Sequence, residues 1–140
     1  MTQRRTKILI VDNDEDVLIA LERALEEQGY DTTTAWTLPE GLELMAGNGF
    51  DLLLVGDHPP ELNCERLLKL LRREGVKLPC VVMHSVARHP FSEAYLRFLG
   101  ASGIACKWSD EQVKLEIVRC LAPRPVGSER AMPAIAGKAG

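Results

Sequence analysis

The sequence predicts an α/β fold: a five-stranded parallel sheet with helices on both faces. Two observations predict it. Short β-rich runs alternate with helical periods along residues 1–122, and two of those runs, Lys7 to Val11 (KILIV) and Asp51 to Val55 (DLLLV), are continuously apolar. A strand covered on both faces must read that way. Strict alternation of strand and helix implies parallel strands joined by right-handed crossovers.

Each element follows in order. After KILIV, the residues Val17, Leu18, Leu21, Ala24, Leu25 and Gln28 fall at helical spacing, and Gly29 is the stop. Asp14 or Asp16 can cap this helix. Tyr30 to Trp36, rich in Thr and aromatics, reads as a strand. Thr37-Leu38-Pro39-Glu40 is a capping box with Pro in the first turn, opening a helix that carries Leu42, Leu44 and Met45. DLLLV is the third strand. Cys64 to Arg73 is a helix ending near Gly75, Cys80 to Met83 a strand announced by Pro79, and Ser92 to Leu99 a helix stopped by Gly100. Ile104 to Cys106 is a short fifth strand. Ser109-Asp110-Glu111-Gln112 then caps a last helix, with Val113, Ile117, Val118 and Leu121 on one face. The final stretch, Pro123 to Gly140, holds three Pro, three Gly and four Ala without apolar periodicity and reads as a flexible tail or linker. Residues 1–122 are thus the folded domain.

Composition narrows the function. The 140 residues carry 17 Lys and Arg against 20 Asp and Glu, a net charge of −3, which argues against a dedicated nucleic-acid binder. No apolar run reaches the length of a membrane span, and the run after the basic N-terminus (Ile8 to Val11) is too short for a signal peptide. A cytoplasmic location is expected. Cys64, Cys80, Cys106 and Cys120 form no C-x-x-C pair and read as small buried apolar residues.

A sheet of this kind works at the carboxyl ends of its strands, near a topological switch point. Asp12-Asn13-Asp14-Glu15-Asp16 follows the first strand, Gly56-Asp57-His58-Pro59-Pro60 the third, His84-Ser85 the fourth and Lys107-Trp108 the fifth. Acids suit a hard cation such as Mg²⁺, while a Lys amine and a Ser hydroxyl suit a phosphoryl oxygen. Any one of the acids is equally a helix cap or a solvated helix start, His84 alone reads as structural, and Lys107 alone would mean little. Their joint placement at successive strand ends is what points to phosphoryl chemistry.

Over Lys7 to Leu121 the sequence resembles a receiver domain of a two-component response regulator. KILIVDNDED, FDLLLVGDHPPELNCERLLKLLR, LPCVVMHS and GASGIACKWS carry the resemblance, by their order and spacing. It implies the flavodoxin-like (βα)5 fold. It implies an Asp that accepts a phosphoryl group from a histidine kinase or phosphotransfer protein, with Mg²⁺ and a Lys neutralising charge and a Ser or Thr following the phosphoryl group. It implies no enzyme beyond self-phosphorylation from a phosphodonor and slow autodephosphorylation.

The departures from the family pattern bear on mechanism. Asp12 matches the first metal-binding acid, but Asn13 stands where a second Asp is usual, so Mg²⁺ affinity should be weak or lost. Counted without gaps from Phe50, the acceptor position holds Gly56, four residues before Pro60, and Asp57 comes one residue late. A one-residue slip reverses a side chain's face, unless a bulge at Gly56 re-aims Asp57 as acceptor and metal ligand. The hydroxyl position falls on His84 counted from Pro79 and on Ser85 counted from Gly100; Ser85 is the candidate. Lys107 fits its place, followed by Trp108 where the family has Pro. Ile104 occupies the position of the family's switch aromatic, and a branched aliphatic cannot make that rotation with a polar tip.

Two readings follow: an atypical receiver that acts by protein–protein interaction, or a working phosphoreceiver using Asp57. The first implies an unidentified signalling partner or a homodimer through the fourth helix, fifth strand and fifth helix, where Tyr95, Phe98 and Trp108 lie. A third reading, a small nucleotide- or flavin-binding α/β enzyme, is disfavoured because acids rather than a Gly-rich loop follow the first strand. Neither nucleic acid nor membrane is expected as a direct partner.

Overall fold

The computed structural model describes residues 4–58, 61–84 and 91–122, with residues 91 and 92 by backbone only. Five strands, β1 (Lys7–Val11), β2 (Asp31–Ala35), β3 (Leu52–Gly56), β4 (Cys80–His84) and β5 (Gly103–Cys106), alternate with α1 (Glu15–Glu27), α2 (Leu38–Gly47), α3 (Cys64–Arg73), α4 (Phe91–Leu99) and α5 (Asp110–Leu121). All neighbouring strands are parallel, in the order β2-β1-β3-β4-β5. The chain leaves β1 in one direction to β2 and later returns on its other side with β3. The carboxyl ends of β1 and β3 therefore bound the switch-point crevice.

Strand alternation splits the core in two. Ile8, Ile10, Leu52, Leu54, Val81, Met83 and Ala105 face α1 and α5, meeting Val17, Leu21, Leu25, Val113 and Ile117. Leu9, Val11, Leu53, Val55, Val82 and Ile104 face the other way, onto Leu67, Leu68, Leu71, Leu96 and Leu99 of α3 and α4. The central strands are buried on both sides, which is why they are apolar without a break. The edge strand β2 is only half-covered and is accordingly threonine-rich.

Local chemistry sets the boundaries. Asp14, Thr37, Asn63 and Ser109 cap α1, α2, α3 and α5, each side chain accepting from backbone N–H groups of the first turn. Gly29 and Gly75 end α1 and α3 with φ of +91° and +72°, a region that other L-residues rarely enter. β2 starts at Asp31 rather than Tyr30 and stops before Trp36, whose N–H turns to Glu40 Oε1 at 2.7 Å to complete the next cap. Two residues of α5 depart from the sequence pattern. Val118 lies out in solvent, and Glu116 is buried in its stead, over Gly103, where the missing Cβ leaves room for the carboxylate. The predicted hydroxyl Ser85 and the tail from Pro123 lie outside the described residues.

Candidate functional site

The alternation that sorts the core also sorts the strand ends. Val11 pairs with Val55, so Asp12 and Gly56 leave their strands side by side, and both follow residues (Ile10, Leu54) that face α1 and α5. Lys107 follows Ala105 onto the same face. The three positions therefore converge beneath the switch point. Asp12 is fully buried and Lys107 nearly so. Lys107 Nζ lies 2.9 Å from Asp12 Oδ2, while Asp12 Oδ1 accepts from Asp14 N at 2.9 Å.

His58 completes the group. It stands two residues beyond Gly56 and so returns to Gly56's side of the chain. It is fixed there by a backbone bridge to Leu62: His58 N donates to Leu62 O at 2.8 Å and Leu62 N to His58 O at 2.9 Å. The Lys107 ammonium, which can only donate, hydrogen-bonds to His58 Nε2. The same nitrogen is 3.6 Å from Asp12 Oδ1. The sequence places His58 at the end of the third strand without a role; its i, i+2 relation to Gly56 is the signal that joins it to the site.

Gly56 is where these contacts leave no room. A Cβ on it would lie 2.7 Å from Asp12 Cγ and 3.2 Å from Lys107 Nζ, and closer still to Asp12 Oδ2. Asp12 has taken the space that an acceptor side chain at position 56 would fill.

Asp57 sits elsewhere. The β3–β4 register runs unbroken from Leu53 opposite Cys80 to Gly56 opposite Met83, and Asp57 N continues it with a 2.9 Å bond to Met83 O. Asp57 Oδ1 accepts from Cys64 N at 3.2 Å. One oxygen of its carboxylate thus satisfies a free N–H at the start of α3, a favourable seat for negative charge. Burial, with smaller contributions from Cys80 and Asp57, drives the Cys64 thiol well above its ordinary range.

These positions also test the fit to a metal. Mg²⁺ demands near-octahedral oxygen donors, usually one or two carboxylates with several waters retained. Asp12 already answers Lys107, Asn13 is exposed, Gly56 has no side chain and Asp57 is turned to α3. Among the described residues no group of three or more His, Cys, Asp and Glu side chains is arranged to hold a metal.

Fold and strand-end crevice together define a protein of the doubly wound α/β class. The response regulator receiver domain profile matches residues 8–119, and the chain belongs to that family. It is 36% identical over 84 residues, 59% of its length, to the two-component response regulator ORR21 of Oryza sativa subsp. indica. It is 27% identical over 78 residues, 56% of its length, to the response regulator SaeR of Staphylococcus aureus. The match spans 12% of the rice protein and 34% of the staphylococcal one. Among solved structures, it superposes on a response regulator from Chloroflexus aurantiacus with a TM-score of 0.77 at 23% identity, covering 86% of this chain and 100% of that one. The chemotaxis response regulator CheY4 of Vibrio cholerae gives 0.75 at 21%, covering 84% and 100%. The chain is a receiver domain of two-component signal transduction. Receivers are signalling modules rather than enzymes, they hold Mg²⁺ at the strand-end acids, and they meet histidine kinases or phosphotransfer proteins. No described helix is long and apolar enough to cross a membrane.

Proposed function

We propose that this receiver signals by binding a partner and does not take up a phosphoryl group. One observation carries the reading: Asp12, paired to Lys107, occupies the space above Gly56 where an acceptor carboxylate would project. In a phosphorylated receiver the Lys ammonium meets the phosphoryl oxygens; here it is engaged by Asp12 and His58. Mg²⁺ affinity is weak or lost, because the carboxylate that would hold it is neutralised by Lys107. Asp57 supports the start of α3, accepting from Cys64 N beside the Asn63 cap.

The partner surface is the face made by α4, β5 and α5. Phe98 and Trp108 are 72% and 61% exposed there, and aromatic anchors of that size suit a protein contact, with either a signalling partner or a second copy. Tyr95 is partly exposed and tied by its hydroxyl to Glu65 Oε2 at 3.0 Å. Ile104, on the middle strand of that face, is buried against the α3–α4 side of the core and cannot serve as a rotating switch. The setting is cytoplasmic.

Intact-protein mass after incubation with acetyl phosphate and Mg²⁺ tests this. The expected spectrum shows the unmodified chain alone. A phosphoryl adduct that disappears in Asp57→Ala would overturn the proposal and install Asp57 as a working acceptor.

A further inference from the structure

Two helices on opposite faces of the sheet carry matched patterns of opposite charge. On α1, Glu15, Ile19 and Glu22 fall at i, i+4, i+7 along its outer side. Ile19 is 49% exposed, Glu15 is exposed and Glu22 partly so. On α3, Arg66, Leu70 and Arg73 repeat that spacing, with both arginines exposed and Leu70 partly so. In each set the end charges stand about 10 Å apart along the axis, at the helical rise, with one apolar residue between them.

The α3 set borders a recess. An open groove of about 480 Å³ runs between α2 and α3, with Leu38, Leu42, Leu67 and Leu70 along it and Arg66, Lys69 and Arg73 against Glu61 at its rim. Lys69 is held by Glu65 at 3.0 Å, and the Arg73 guanidinium is only loosely drawn to Glu74, at 3.9 Å. Among the described residues the Arg66 guanidinium makes no ion pair. The α1 side is acidic: Glu22, Glu26 and Glu27 line a shallow recess with Ile19, and Arg23 is the one cation in that lining.

We infer that a second copy of this chain docks here, its α1 laid antiparallel on α3 of the first. Glu22 then meets Arg66, Glu15 meets Arg73, and Ile19 enters the groove beside Leu70. Within one molecule the two helices lie on opposite faces of the sheet, so the pairing is between copies. The contact is heterologous: each copy keeps one unsatisfied face, and association grows head to tail rather than closing as a dimer. A seat of one helix buries less than a standard interface, so the association is weak and salt-dependent. It uses neither Gly56, Asp57 nor the α4–β5–α5 face.

Sedimentation velocity under reducing conditions tests it. In about 20 mM NaCl the weight-average sedimentation coefficient should rise with protein concentration, and in about 500 mM NaCl it should stay at the monomer value, the charges being screened. E15K/E22K should abolish the rise, and so should R66E/R73E, with far-UV circular dichroism unchanged in both. Mixing the two variants should restore it, since each then offers the charge the other lacks. A wild-type chain that stays monomeric at low salt overturns the inference. So does a rise that survives in either variant, or a mixture of the two that stays monomeric.

Discussion

Gly56 reverses a common expectation about glycine in a strand. Replacing a strand glycine by alanine ordinarily stabilises by about 0.5–1 kcal/mol, because the unfolded chain loses freedom. Here the added methyl meets the Asp12 carboxylate, which is fully buried and can retreat only by leaving Lys107. Gly56→Ala is therefore expected to destabilise by about 1–3 kcal/mol, the scale of a buried polar group deprived of its partner. Urea unfolding reads this directly, with Gly47→Ala as the control. Gly47 ends α2 with open space around its missing Cβ, so its alanine variant should hold or gain stability. A stabilised Gly56→Ala would mean that Asp12 is not fixed above it. Residues at this scale were legible as far as strand alternation reaches. That rule puts Asp12, Gly56 and Lys107 on one face and Asp57 on the other. It does not show that Lys107 also takes His58, because that contact depends on the bridge to Leu62 beyond the strand.

Elements were legible where their signals are local. The cap residues of α1, α2, α3 and α5 and the glycine stops of α1 and α3 lie within a few positions of the boundaries they set. The α5 face was read less well: Val118 has the apolar character of a core residue and Glu116 does not, yet Gly103 opposite makes space for the carboxylate. That exchange needs knowledge of the facing strand. The entry to β1 shows a second non-local tie. Arg4 grips Asp51, just before β3, through two bonds of 2.7 and 2.8 Å, and Lys7 N donates to the same carboxylate at 2.8 Å. Chiefly the Arg4 hydrogen bonds, aided by Lys7, hold Asp51 below the ordinary aspartate range. A lowered carboxyl pKa contributes stability that is present above the unfolded value and is lost as pH falls through the folded one. Unfolding curves of wild type and Asp51→Asn should differ at neutral pH and converge as pH drops below about 4. A gap that persists into strong acid would assign the difference to packing rather than charge.

At the scale of the molecule, the four cysteines report how tightly the two half-cores are closed. Cys64, Cys80 and Cys106 are buried and Cys120 partly so, all as free thiols. Burial pushes the Cys80 thiol up to about 12 and raises Cys120 as well. A buried thiol shielded from reagent does not react. Titration of the native chain with an aromatic disulfide reagent should therefore register no more than Cys120, slowly, and denaturant should release the other three together. Early release of Cys64 or Cys80 alone would reveal local opening on the α3–α4 side of the sheet.

The space above Gly56 also bears on the mutational routes open to this chain. Glycine and aspartate codons can differ by a single base, so an aspartate at position 56 is a short genetic step. Chemically it is a longer one. The new carboxylate would arrive where Asp12 already sits, beside one lysine that would then have to answer two acids. An aspartate at position 56 alone would be strained before it could be useful. Placing a carboxylate there would take at least one further substitution, one that draws Asp12 aside.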